Sequence, residues 1–335
     1  MGVDNKKNII KNGYVDIPVD PNLDFVNEIN SLKREKNAII LAHYYQKSEV
    51  QDIADYIGDS LGLSQKAAET DADIILFAGV HFMAETAKML SPQKKVLIPD
   101  LNAGCSLADS CPPKEFENFV KRYSNHTVIT YVNTSVEIKA LSDVCCTSSN
   151  AVQIVESFDK DVPLLFAPDR NLGNYIKRIT KRENMIVWDG ACHVHEEFSL
   201  ERILDLKKEN PNAILISHPE CQKPILLISD YIGSTSELLN FVKKDSQKKY
   251  IVATEWGILH QMQKACPEKI FIAAPPKDST CGCSECSFMK LISLKKIYLT
   301  LKYEIPEISI EEELRQRAVK PIERMLEISK KLRII

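Results

Sequence analysis

The 335-residue chain has no long apolar run. Its longest, such as Ile74–Ala78 and Ile225–Ser229, are only a few residues, against the ~20 that span a bilayer. It also lacks an excess of one charge. The 43 Lys and Arg against 46 Asp and Glu leave a net −3, so there is no basic field for a nucleic-acid backbone and no strong acidic field. No helix-turn-helix signal or basic stripe is present, which argues against a DNA-binding sensor. The opening MGVDNKKNIIKNGYVDIPVD has no apolar core and no small-residue cleavage site, so it does not read as a secretory leader, and its acidic residues argue against a transit peptide. These absences point to a soluble protein in a reducing compartment, with residues 1–23 as a polar N-terminal arm.

What is present is ordinary in bulk and unusual in detail. Hydrophobic residues make up 44% and charged residues 27%, a globular composition. Ten cysteines are many for a reducing compartment. Without a leader they point to metal binding or redox chemistry rather than a disulfide framework.

Four kinds of marker recur along the chain. Short apolar runs open onto polar residues at His43, Asn133 and His218, separated by 90 and 85 residues. Hydroxyl groups follow at Ser60, Ser148 and Ser234-Thr235. A third set of runs lies at 73–79, 161–168 and 249–255, and a fourth at 95–100, 184–189 and 268–274. After each member of the fourth set comes cysteine: Cys105, Cys192, and the group Cys281, Cys283 and Cys286. Four markers in register imply one unit repeated three times, too long for a common solenoid repeat. Helical spacing lies between them, at 50–56, 64–69, 83–90, 135–141, 172–179 and 258–265. Alternating strands and helices predict parallel sheets covered by helices, with ligands beyond the carboxyl ends of the strands. The fold class is therefore α/β: three tandem homologous three-layer α/β/α domains in a pseudo-threefold arrangement around a central active site. The boundaries read as 24–107, completed by C-terminal helices within 288–335, then 108–193 and 194–287. Ser309-Ile-Glu-Glu312 reads as a capping box for a closing helix over 314–328 that packs on the first domain, with Pro321 as a possible kink.

Each chemical marker has a bland reading beside the functional one. Cys105, Cys192 and the last group could ligate an iron–sulfur cluster, or pack as small hydrophobes. The CxCxxC spacing also fits half a zinc site or a local redox switch, although no second knuckle lies nearby and CxxxCxxC is absent. Cys145-Cys146 and Cys221 read as packed in strands or loops; Cys111 and Cys266 have no evident partner. Ser60, Ser148, Ser234 and Thr235 could be N-caps, or mark helix N-termini that hold anions. His43, Tyr45, His218 and Glu220 stand at strand ends and can move protons. His193 and His195 read as supports for a metal site, or as surface residues.

The motifs Ala42-His43-Tyr44-Tyr45-Gln46, Asp52-Ile-Ala-Asp-Tyr-Ile-Gly-Asp-Ser60, Phe77-Ala-Gly79, Met83-Ala-Glu-Thr86, Tyr131-Val-Asn133, Thr147-Ser148, His218-Pro-Glu220-Cys221 and Ser234-Thr235 together resemble the quinolinate synthase family, from about residue 24 to residue 330. The resemblance implies an oxygen-sensitive 4Fe-4S cluster held by three cysteines, here Cys105, Cys192 and Cys286. Cys286 is chosen because Cys286-Ser-Phe-Met289-Lys290 resembles the sequence after the family's last ligand. It implies a transferase that condenses iminoaspartate with dihydroxyacetone phosphate to quinolinate, phosphate and water, in NAD biosynthesis. The open iron would act as the Lewis acid. By the same transfer His43, Ser60, Tyr131, Asn133, Ser148, His218, Glu220 and Thr235 line the substrate site. Glu220 is the proton carrier, with Tyr45 and His43 beside it in catalysis. The implied partners are the two small molecules and an iminoaspartate-producing enzyme, with no nucleic acid and no membrane. The implied place is the cytoplasm, or a plastid stroma for an organelle-encoded copy. An aconitase-like hydro-lyase and a non-catalytic iron–sulfur or thiol sensor are the competing classes.

Overall fold

A computed structural model describes residues 9–278 and 284–334. It contains three four-stranded parallel sheets built to one plan. The first is made of β3 (Ala38–His43), β4 (Tyr56–Gly58), β5 (Ile74–Ala78) and β6 (Lys95–Leu97), in the order β4-β3-β5-β6. The second is β7 (Thr127–Tyr131), β8 (Val144–Cys146), β9 (Leu164–Ala167) and β10 (Met185–Val187), in the order β8-β7-β9-β10. The third is β11 (Ile214–Ser217), β12 (Tyr231–Ile232), β13 (Lys249–Ala253) and β14 (Ile270–Ala273), in the order β12-β11-β13-β14. A short antiparallel hairpin, β1 (Ile10–Lys11) and β2 (Tyr14–Val15), precedes them. Near-continuous burial of β5, β9 and β13 fits parallel strands covered on both faces.

One aspartate strap repeats in each sheet. Asp55, Asp143 and Asp230 stand 88 and 87 residues apart. Each accepts, through Oδ2, the backbone N–H of a residue fifteen earlier: Ile40 at 2.8 Å, Val128 at 2.7 Å and Leu215 at 2.7 Å. Each backbone N–H also donates to that residue's carbonyl, at 3.0, 2.9 and 2.8 Å. The strap fixes where the second strand of each sheet meets the first. It also sets the repeat equivalences. His43, Tyr131 and His218 fall at one position; Tyr45, Asn133 and Glu220 at another; Ser60, Ser148 and Thr235 at a third. The expected match of Asn133 to His43 is thus two residues off, because an apolar run alone does not mark where its strand ends.

Compact packing divides the chain into two units: Met1–Cys105 with Ser287–Val319, and Ser106–Cys286 with Lys320–Ile335. The first holds the hairpin and the first sheet. Within it, helix Leu294–Tyr303 lies on helix Phe25–Glu35 through the edge-to-face pair Phe25–Tyr298. The second unit holds the other two sheets. Around the second sheet Trp188 meets Phe116 and Phe119 edge to face; under the third, Phe198, Ile203, Leu215 and Ile251 form an apolar cluster.

Three local expectations differ from the structure. The helix expected over 50–56 is Ser48–Ile53, and Tyr56 already opens β4. The tail helix is Glu312–Lys331 with Pro321 inside it, and its first turn is capped by Glu311, which accepts the N–H groups of Glu313 and Leu314, rather than by Ser309. Its early residues belong to the first unit, where Arg315 donates to the Met89 carbonyl. Its later ones belong to the second, where Ser329 accepts from Asn150 and Arg324 donates to the Asp143 carbonyl.

Candidate functional site

In the second unit, the carboxyl ends of β7, β11 and β13 carry a buried polar group. Glu220 lies at its middle. It accepts a 2.6 Å hydrogen bond from the Tyr131 hydroxyl, and its Oε2 stands 3.0 Å from His195 Nδ1. That ring nitrogen makes no bond of hydrogen-bond geometry, so the contact is electrostatic. His195 Nε2 meets Thr254 Oγ1 at 3.0 Å, and the His195 and His218 rings stack at 4.9 Å. All of these side chains are nearly inaccessible to solvent.

His218 is oriented by its own turn. The Glu220 backbone N–H donates to His218 Nδ1 at 3.3 Å, which leaves the proton of the neutral ring on Nε2, facing Ser148 Oγ at 3.2 Å. The first unit repeats the device: the Tyr45 N–H donates to His43 Nδ1 at 3.2 Å, and the Tyr45 ring packs edge-on against His43 at 4.5 Å. Two histidines at one repeat position therefore share one tautomer. The third member of the set is Tyr131.

The carboxylates divide by environment. Burial pushes the Glu220 pKa upward, but the His195 and His218 imidazoles and the Tyr131 hydroxyl outweigh it and bring it down from 4.5 to about 2. Asp169 goes the other way. Full burial, and then the charge of Glu220, hold its pKa well above the ordinary carboxylate range, against backbone N–H groups of Leu172, Cys192 and Asn171. Asp169 Oδ1 caps helix Arg170–Thr180 through the Leu172 N–H at 2.7 Å, while Oδ2 is left without a partner. Glu196 is drawn down despite burial by Asn171, Gln222 and Arg170, and Asn171 also donates to the Glu220 carbonyl at 3.0 Å.

Cys192, His195 and Glu220 bring one donor atom each within 4.8 Å of one another, a group able to hold a metal. Among the eight described cysteines, Cys111, Cys145, Cys146, Cys221 and Cys266 are buried, whereas Cys105, Cys192 and Cys286 are half-buried. Burial raises the thiol pKa at Cys111 to about 12 and also raises it at Cys145, Cys146 and Cys221, which disfavours the thiolate a metal requires. Among the described cysteines, Cys105, Cys192 and Cys286 therefore suit thiolate ligation best. Cys281 and Cys283 lie outside the described residues.

The hydroxyl markers separate. Ser234 is an N-cap: it closes a capping box with Glu237 on helix Thr235–Lys244. Thr235 is that helix's first residue and is buried. Ser60 opens helix Ser60–Glu69, but the cap is Asp59. Ser148 is not at a helix start; the six-residue helix Ala151–Glu156 begins later. Ser149 instead donates to Ser234 at 2.9 Å, linking the second and third sheets. Asn133 keeps a buried Oδ1 with no hydrogen-bond partner. The second unit thus brings together Tyr131, Ser148, His218, Glu220 and Cys192. His43, Tyr45, Ser60 and Cys105 belong to the first unit. His195 is no surface residue, and Thr254 and Asp169 carried no signal in the sequence beyond their place after β13 and β9.

Parallel α/β sheets end here in a buried, histidine-flanked carboxylate beside a half-buried thiol, a group able to hold a metal ion. The family described as "Quinolinate synthetase A protein" matches residues 27–327. Proteins named quinolinate synthase from Synechococcus sp. and Thermosynechococcus vestitus are 58% and 59% identical over 306 and 307 residues, covering 91% and 92% of this chain and 95% and 96% of theirs. One from Synechocystis sp. is 58% identical over 306 residues. The chain belongs to the quinolinate synthase family.

Proposed function

We propose that this chain works as a quinolinate synthase in NAD biosynthesis, condensing iminoaspartate with dihydroxyacetone phosphate to quinolinate, phosphate and water. The carrying observation is the buried Tyr131–Glu220–His218 group beside Cys192, on residues that the family resemblance assigns to substrate. Cys105, Cys192 and Cys286 would hold a 4Fe-4S cluster, which when bound supplies a Lewis-acidic iron to polarise substrate oxygen or nitrogen.

The chain's own residues do the rest. Glu220 takes and returns the protons of carbon–nitrogen bond formation and isomerisation. At rest it is a weak base; an anionic substrate beside it raises its pKa toward the working range. Tyr131 donates to it and keeps the returned proton close. The Nε2–H of His218, fixed by the Glu220 amide, is the donor that can turn from Ser148 to a substrate carboxylate. His43 and Tyr45 form the equivalent pair, and Tyr45 assists. Ser60, Asn133, Ser148 and Thr235 bind the carboxylates and the phosphate, with the unpartnered Asn133 Oδ1 accepting a substrate hydroxyl or imine N–H. Burial excludes water, so these fixed dipoles act at low dielectric.

We read each sheet with its helices as one domain, 24–107 with 288–335, 108–193 and 194–287. The imine arrives from a separate iminoaspartate-producing enzyme. Thiolate ligation and an oxygen-sensitive cluster fit the cytoplasm, or a plastid stroma for an organelle-encoded copy; none of the described helices is long and apolar enough to cross a membrane. The test is anaerobic assay of quinolinate from the two named substrates. Formation of quinolinate supports the reading, and turnover of another hydroxy acid without it refutes it.

A further inference from the structure

The three cysteine segments are not held alike. β5, β9 and β13 end in register at Ala78, Ala167 and Ala253, opposite Ala42, Thr130 and Ser217. Two residues on, the second and third sheets carry the buried carboxylates Asp169 and Glu255. Glu255 accepts the Cys286 backbone N–H at 3.2 Å, and the Cys192 backbone N–H is among the groups that draw the Asp169 pKa down against burial. The first sheet has Val80 at this position, which offers no acceptor side chain.

The Cys105 segment is held by the N-terminal hairpin instead. Asn12-Gly13 forms its turn, with Asn12 at φ 52° and Gly13 at φ 87°, the backbone that an Asn-Gly pair favours. The Gly13 carbonyl accepts the Leu101 N–H at 2.9 Å. The Asn12 carbonyl accepts from Asn102 Nδ2 at 2.5 Å. Asn102 is also tied to Asp100 Oδ1 through its backbone N–H and its side chain, both at 2.9 Å. Asp100 in turn pairs with Lys296, whose ammonium stands 4.0 Å over the Tyr14 ring. The segment closes with the Gly104 N–H on the Asn102 carbonyl at 2.7 Å and the His81 N–H on the Ala103 carbonyl at 2.6 Å. Cys105 is the next residue. Gly13 cannot be replaced freely: a Cβ there would lie 2.6 Å from Asn102 Nδ2.

We propose that the N-terminal hairpin is the positioning clamp for Cys105, in the repeat where Val80 stands at the place of Asp169 and Glu255. The hairpin precedes the family match at residue 27, so this support lies outside the part of the chain the family description covers. The proposal rests on Cys105 being a cluster ligand. Supporting groups behind a metal ligand commonly change metal retention by about 10–100-fold.

The experiment uses the full chain with its cluster, prepared anaerobically, and follows bleaching of the iron–sulfur absorption after adding a chelator. Gly13→Ala and Asn102→Ala should lose the cluster about tenfold faster than the unaltered chain, while Tyr14→Phe, which keeps the ring under Lys296, should match it. Hydrogen exchange on the cluster-free chains gives a second reading: the Leu101 amide should exchange faster in the first two variants, with amides of β3 and β5 unchanged. Equal chelation rates and equal Leu101 exchange in all chains would overturn the proposal alone. An unaltered chain that holds no iron–sulfur cluster would overturn the ligand reading, and the proposal with it.

Discussion

Glu220 and Asp169 are both buried carboxylates of the second unit, and their surroundings split them. Burial, and then the charge of Glu220, raise the Asp169 pKa, whereas two imidazoles and a phenol lower that of Glu220. Glu220, the carboxylate whose pKa is lowered, is the proposed proton acceptor. Glu220→Gln should retain the cluster and lower turnover by about 10²–10⁴-fold; normal turnover would remove it from the proton path. Serine at Cys105, Cys192 or Cys286 should abolish the cluster, and serine at Cys145, inside β8, should not, as iron counts will tell. The reactive strand-end residues were legible because a polar side chain closing an apolar run is conspicuous. Thr254 and Asp169 were not, since nothing local marks either as part of a distant buried group; His195 was read as a support for a metal site beside Cys192, but its contact with Glu220 has no local mark. The N-cap reading of the hydroxyls fared unevenly for a similar reason: capping depends on where a helix starts, and Asp59 rather than Ser60 takes that place.

Strand and helix positions rest on a few repeated local devices. The aspartate strap is the clearest. A hydrogen bond to a charged group contributes about 1.5–3 kcal/mol, so Asp143→Ala should destabilise the second unit by about 2 kcal/mol, read from the urea midpoint. A second device ties together the first unit's helices and edge strand: Glu304, in the left-handed conformation after helix Leu294–Tyr303, pairs with Lys36 at 2.6 Å and with Lys95. The two lysines lower its pKa from 4.5 to about 2. A carboxylate so lowered stabilises the fold above its unfolded pKa and stops doing so as pH falls through the folded one. Glu304→Gln should therefore cost about 1 kcal/mol at neutral pH, allowing for solvent screening, and the gap to the unaltered chain should close between pH 4.5 and about 2. A gap that persists at the acid end would assign the effect to packing. The period of these elements could be read from the sequence; their short second strands could not. β4, β8 and β12 have three residues or two, below the length at which alternation is visible, and Tyr56 reads as the end of a helix.

At the scale of the whole chain, the family match over residues 27–327 and three sheets of one topology account for nearly every residue that the repeat pattern singled out. The N-terminal arm is where the reading from composition fell short. It looks polar, yet Asn12-Gly13 is a hairpin signal, and the hairpin that forms reaches the segment before Cys105. One chain is proposed to carry both the iron–sulfur centre and the condensation chemistry. This is tested most directly by counting iron and sulfide and assaying quinolinate formation on one anaerobic preparation. About four iron and four sulfide per chain are expected, with activity that falls in proportion as the cluster is lost to air. A colourless, zinc-loaded chain, or quinolinate formation undiminished after the cluster is gone, would contradict it.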